Sequence, residues 1–186
     1  MYKNKKAESG IGTLIIFIAM LLVAAIAAGV LIQTTGSLQN KALATGQQSK
    51  AQISTHLEVV NTVGTDGTDG RVENVSVVMK LAPGSESIRF SELIVTVDTI
   101  TNFATLSYNN SNINSSYSVV PLQNGTNHKE GYLVRGDVVE VNLQLPSALL
   151  ENQDVRMDFI PKVGIPTTLD ISMPDIMTTY RVHLYP

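Results

Sequence analysis

The sequence predicts an α+β chain: a long hydrophobic N-terminal α-helix followed by an all-β domain of immunoglobulin-like sandwich architecture. Three observations lead there. Ser9 to Asn40 is a run of 32 residues without Lys, Arg, Asp or Glu. Apolar and small residues then recur at spacings of three and four as far as Val60, and beyond Gly70 the apolar period becomes two. The first period belongs to one face of a helix and the second to a half-buried strand. At 186 residues the chain has room for one domain of ordinary size and an appendage.

Within the uncharged run, Leu14 to Ile32 is 19 residues with no polar side chain. A helix of that length nearly spans the ~30 Å hydrocarbon layer of a membrane. A secretory signal peptide has a shorter apolar core, roughly 7–15 residues, so the run is too long for one. Lys3, Lys5 and Lys6 precede it and no basic residue follows until Lys41. That asymmetry places the N-terminus on the cytoplasmic side and the remainder outside. Ala24/Ala28 and Ala25/Gly29 are small pairs one helical turn apart, a spacing that lets helix backbones approach closely, although alanine is common in any membrane helix.

Past Ile32 no proline intervenes, and Leu38, Ala42, Gly46, Ser49, Ile53, Leu57 and Val60 continue a helical stripe into water. From Ile11 to Val60 such a helix would be about 75 Å long, far more than a single-pass anchor needs. Gly29, Gly36 and Gly46 each weaken it by up to ~1 kcal/mol, so it is expected to need neighbours. The expected layout is a helix over 8–61 with its membrane segment at 14–32, a turn or linker over 62–70, and a β domain over 71–186.

The linker contains Val63-Gly64-Thr65-Asp66-Gly67-Thr68-Asp69-Gly70, a composition suited to turn backbone angles. Asp66 and Asp69 could ligate calcium, but the other carboxylates of an EF-hand loop are missing, and the turn reading is preferred. In the β domain, Val75, Val77, Met79 and Leu81 alternate with polar residues. Leu93, Val95 and Val97 do the same, as do Val139, Val141, Leu143 and Leu145. The pattern returns at Val155, Met157 and Phe159, at Leu169, Ile171 and Met173, and at Tyr180, Val182 and Leu184. Short strands at regular spacing with one polar face each fit antiparallel sheets. Asn109 to Ser116 and Gln123 to Lys129 are polar loops. Four Asn-x-Ser/Thr sequons, at Asn74, Asn109, Asn114 and Asn124, fall in loops or on outward strand positions and are candidate N-glycosylation sites.

Several function classes are disfavoured. The net charge is −3, and loss of residues 1–7 would make it −6, so a nucleic-acid partner is not expected. No cysteine is present, which removes disulfides, thiolate metal sites and cysteine nucleophiles. His56 is expected on the helix, His128 in a loop and His183 on an outward strand face, without metal-ligand spacing. Phosphate-binding glycine loops and hydrolase motifs are missing too. No catalytic residue, metal or cofactor is expected.

The residues that carry most information are KKAESGIGTLIIFIAMLLVAAIAAGVLIQTTGSLQNKA, positions 5–42. This stretch closely resembles the N-terminal region of archaeal flagellins, the archaellins, which are related to type IV pilins. The Gly10-Ile11-Gly12-Thr13-Leu14-Ile15 run, the basic residues before it and the Leu38-Gln39-x-Lys41-Ala42 exit fall in order. The resemblance implies that residues 1–7 are a class III signal peptide and that the apolar segment is kept. A prepilin peptidase would cut between Ala7 and Glu8, with Lys5 and Lys6 as recognition charges and Gly10 at the third mature position. The family more often has glycine where this chain has Ala7. Bacterial type IV pilins carry glutamate at mature position five, where this chain has Gly12, a departure that favours the archaellins.

The resemblance further implies a structural subunit of a helical filament, the archaeal flagellum or archaellum, used for swimming. Its partners would be copies of itself, other archaellins, the peptidase, the archaellum assembly platform, and the cytoplasmic membrane before assembly. An archaeal adhesion pilus subunit and a permanently anchored surface-binding module are the alternatives.

Overall fold

A computed structural model of the chain describes residues 4–65, 67–109 and 116–185, with side chains from residue 9 onward. It comprises two compact units, residues 1–48 and 49–186. Helix α1 runs from Asn4 to Ser54; its 51 residues correspond to about 75 Å. The strands are β1 (Leu57–Thr65), β2 (Arg71–Leu81), β3 (Ile88–Arg89), β4 (Leu93–Thr99), β5 (Phe103–Tyr108) and β6 (Ser116–Gln123). They continue with β7 (Tyr132–Leu133), β8 (Val138–Leu150), β9 (Asp154–Pro161), β10 (Thr167–Ser172) and β11 (Arg181–Tyr185).

Among the described residues, nine strands form one hydrogen-bonded sheet in the order β10-β9-β4-β5-β6-β8-β2-β1-β11, and β3 pairs with β7. Its neighbours are antiparallel except β5 and β6, which run parallel through Ser107/Ser116 and Tyr108/Tyr117. That junction joins the two layers of the β domain. Val75, Val77, Val141 and Leu143 from one layer and Val95, Val97, Met157 and Phe159 from the other share a single buried core. The alternation read from the sequence is therefore the inward face of these strands; Tyr180, expected to share that face with Val182 and Leu184, instead precedes β11 and is exposed. Tyr117 ties the layers together: its buried hydroxyl lies 2.7 Å from the Phe90 carbonyl and 2.8 Å from that of Leu93. Burial pushes its phenol pKa well above the usual value.

The helix ends sooner than expected. Ser54 is its last residue, and Leu57 to Val60, expected as helix, begin β1 instead. The reason is tertiary. The Thr55 carbonyl accepts the Ile165 N–H at 2.8 Å and the Thr55 hydroxyl accepts the Glu86 N–H at 3.1 Å. The His56 carbonyl accepts the Ala82 N–H, and the Ser85 hydroxyl sits against the Ser54 and His56 carbonyls. These bonds compete directly with the next helical turn. Gly164 permits the approach: it has φ +129°, and a Cβ there would meet the Thr55 carbonyl at 2.4 Å.

The expected linker at 62–70 begins as strand, since β1 continues to Thr65. Gly67 to Asp69 make a short turn, and the Asp69 carboxylate accepts the Arg71 N–H. Asp66, its companion in the calcium alternative, lies outside the described residues.

Candidate functional site

The first unit is a helix with no core of its own. Fourteen large apolar side chains between Ile11 and Ile32, from Ile11 at 60% to Ile32 at 74%, are exposed. Leu14, Ile15, Ile16, Phe17 and Ile18 are consecutive, so the apolar surface covers the whole circumference and not a single stripe. A helix that is apolar all round belongs in a membrane or in the middle of other helices. Leaving these side chains in water would cost on the order of 20 kcal/mol, more than the ~5–15 kcal/mol that holds a domain folded.

Two hydroxyls at the ends of the apolar run are satisfied within the helix. Thr13 donates its hydroxyl to the Gly10 carbonyl at 2.9 Å, and Thr34 donates to the Val30 carbonyl at 2.9 Å. Such back-bonding lets a hydroxyl reside where no water is available. Ala24, Ala25, Ala28 and Gly29 are all exposed. Ile16, Met20 and Val23 flank Ala19, Ala24 and Ala27 to form a shallow apolar groove on the helix surface. A Cβ placed on Gly29 meets no atom within 4 Å. These small residues leave open surface on the helix, where the backbone of a neighbouring helix could approach closely.

Lys5, Lys6, Ala7, Glu8 and Gly10 all lie within α1. A protease reads its substrate extended, so the expected cut between Ala7 and Glu8 would require the first turns to unwind. Gly10 and Gly12 lower the cost of that unwinding by up to ~1 kcal/mol each relative to alanine.

The sequons differ in setting. Asn74 is half-buried in the middle of β2, between β1 and β8, and the following Ser76 bonds Asn142. Asn109 is exposed at the end of β5. Asn114 lies outside the described residues. Asn124 is exposed and opens a rigid loop. The Asp137 side chain, fully buried, organises that loop. It accepts the Gly125 N–H at 2.6 Å and the Val134 N–H at 3.2 Å, and the His128 ring lies 3.0 Å away. Gly125 is required, because a Cβ would meet the Arg135 carbonyl at 2.9 Å.

Burial alone would raise the Asp137 pKa, but the Gly125 N–H, the His128 ring and the Val134 N–H together hold it below the usual carboxylate value. A carboxylate depressed in the folded state stabilises above its unfolded pKa of about 3.9, and that stability is lost as pH falls through the folded pKa. Asp137→Ala should therefore cost ~2 kcal/mol or more at neutral pH, because it strands buried donors. The gap from the parent should narrow in acid below about pH 4. Thermal unfolding of the detergent-solubilised chain, followed by β-sheet circular dichroism, measures both.

His56, expected on the helix, is exposed just beyond it, and His183 is exposed on β11. Among the described residues no group of three His, Asp or Glu is placed to hold a metal ion. What the molecule presents is a surface for association.

Comparison with known proteins agrees. A family model described as archaeal-type flagellin matches residues 7–171. Flagellin B1 of Methanococcus voltae is 34% identical over 97% of this chain and 96% of its own length. Flagellin B1 of Methanocaldococcus jannaschii is 32% identical over 98% and 96%. Among solved structures, the archaeal flagellum of Methanospirillum hungatei strain JF1 aligns with a TM-score of 0.72 at 15% identity, over 95% of this chain and 99% of that one. The crystal structure of archaeal flagellin FlaB1 from Methanocaldococcus jannaschii aligns at 0.63 and 18%, over 70% and 97%. At these identities the likeness is one of fold.

Proposed function

Because the chain belongs to the archaeal-type flagellin family, we propose a route by which its oily helix enters a filament without ever being exposed to water. The chain is a structural subunit of the archaeal flagellar filament, an extracellular assembly built from such subunits. The family is structural and not enzymatic. In the proposed route, the helix first resides in the cytoplasmic membrane with Lys3, Lys5 and Lys6 inside. Prepilin peptidase then removes residues 1–7 by cutting between Ala7 and Glu8. At an assembly platform, α1 moves from lipid directly among the helices of earlier subunits, with Ala24, Ala25, Ala28 and Gly29 as close-approach points. The β domain faces outward, and glycans at Asn109 and Asn124 would cover it without disturbing its sheets.

The supporting observation is the exposed apolar surface from Ile11 to Ile32 on all sides of α1. Lipid and sister helices are both apolar, so exchanging one for the other costs little, whereas passage through water costs on the order of 20 kcal/mol. The apolar surface of Leu38, Leu43 and Ile53, each exposed, extends beyond the thickness of a bilayer and needs protein neighbours. A permanent anchor would leave it uncovered.

Deleting the chain should abolish swimming while leaving surface attachment intact, and electron microscopy of purified material should show helical fibres with helical cores. Lost attachment with intact swimming would point to an adhesion pilus. Detergent-soluble monomers with no fibres would point to a membrane-anchored module.

A further inference from the structure

Asn124-Gly125 is the one Asn-Gly step in the sequence, and Asn124 is exposed. Such a step is chemically fragile. The nitrogen of the following residue gives up its proton to water, attacks the asparagine Cγ and expels ammonia, which closes a cyclic imide. Water then opens the ring at either carbonyl and leaves aspartate or isoaspartate. Asparagine is a thermolabile residue, and glycine after it speeds the closure because it has no Cβ to crowd the nitrogen.

In this fold the attacking nitrogen is engaged. The Gly125 N–H donates to Asp137 Oδ1 at 2.6 Å, the short separation of a charge-assisted bond. Asp137 is held in its turn. Its side chain is fully buried, its Oδ2 accepts the Val134 N–H at 3.2 Å and lies 3.0 Å from the His128 ring, and its own N–H donates to the Val134 carbonyl at 3.0 Å. Gly125 is equally fixed. A Cβ built on it would meet the Arg135 carbonyl and the Gly136 backbone at 2.9 Å, and its carbonyl accepts the His128 N–H at 3.2 Å.

Two effects oppose cyclisation here. An amide nitrogen attacks as its anion, and a carboxylate held beside it disfavours a second negative charge. Geometry is stricter. In the imide, Cγ of the asparagine bonds to the nitrogen in the place of the departed hydrogen, and that place faces Asp137 Oδ1 within hydrogen-bond distance. The ring can close only after Gly125 leaves the carboxylate.

We propose that Asp137 is a positioning residue that keeps Asn124 an amide, by holding the Gly125 nitrogen that would otherwise convert it to aspartate. The proposal goes beyond the filament reading and does not depend on it. What the clasp preserves is the amide to which a glycan at Asn124 would be attached. It also keeps the extra backbone methylene of isoaspartate out of a closely packed loop.

The test follows the full chain, made without glycans and held in detergent at mildly alkaline pH, by peptide mapping and mass spectrometry. Conversion of Asn124 in the folded chain should be at least about tenfold slower than in the same chain unfolded in guanidinium, because closure waits on local opening. Asp137→Asn keeps the side-chain shape and removes its charge, and should raise the folded rate roughly tenfold. Tyr117→Phe, which removes the hydroxyl joining the two layers elsewhere in the domain, should leave the rate at the parent value. Equal rates in the folded and unfolded parent, a folded Asp137→Asn chain no faster than the parent, or equal acceleration by Tyr117→Phe overturns the proposal. If Asp137→Asn does not fold, hydrogen exchange of the parent decides: slow exchange at the Gly125 N–H supports the clasp, and exchange as fast as in the unfolded chain overturns it.

Discussion

A chain carrying Gly29→Leu should insert into the cytoplasmic membrane as the parent does and be depleted from filaments by tenfold or more. Within the chain the substitution is favourable or neutral. Leucine is a better helix former than glycine by up to ~1 kcal/mol, it suits lipid, and a Cβ at Gly29 meets nothing within 4 Å. An adverse effect can arise only against another molecule. Fluid lipid accommodates a larger side chain; a close-packed helix does not, and overpacking costs ~1–3 kcal/mol at each site. The cost recurs in every subunit, and each 1.4 kcal/mol is about a tenfold change in association. Ala25→Leu should behave in the same way. Membrane fractions and sheared filaments, compared by immunoblot, measure the two quantities separately. Normal filament yield from both variants would remove the close-packing role of these positions.

Reversing the basic head should have an effect of similar size. Lys5→Glu with Lys6→Glu is expected to leave the chain uncut and held in the membrane, with filaments absent. Two physical reasons combine. The peptidase would lose the charges proposed for its recognition, and an uncut chain retains Lys3 and the two introduced glutamates at the end of a helix that must enter an apolar bundle. Burying unpaired charge is among the costliest changes a protein can make. Cutting at Glu8 instead leaves a carboxylate in the first turn of α1, where the helix dipole favours it. Mass spectrometry of parent filaments should find Glu8 as the first residue. Intact Met1 in assembled polymer would contradict this route.

Much of the fold was legible because burial imposes simple periods. The apolar run left one reading for α1, and strands such as β8 and β9 alternate so regularly that their inward faces could be named. β5 and β6 escaped for a physical reason. Phe103, Val120 and Leu122 point outward and Pro121 interrupts the ladder, so neither strand shows clean alternation. The end of α1 was misplaced because Ile53, Leu57 and Val60 fit a helical stripe equally well. The stop depends on Ser85, Glu86 and Ile165, residues too distant in sequence for any local pattern to reveal. The Asp137 loop was missed similarly; its only local hint is the glycines that bracket it, Gly125 and Gly136. The apolar surface of α1 was fully legible, since it is a property of the helix alone.

The most direct test is sedimentation of the mature chain after detergent is removed. If α1 exchanges lipid only for sister helices, all material should appear as long fibres or as pelleting aggregate, with no monomer boundary. A stable, monodisperse monomer in detergent-free buffer would show that the helix tolerates water, and the proposed direct transfer from membrane to filament would be contradicted.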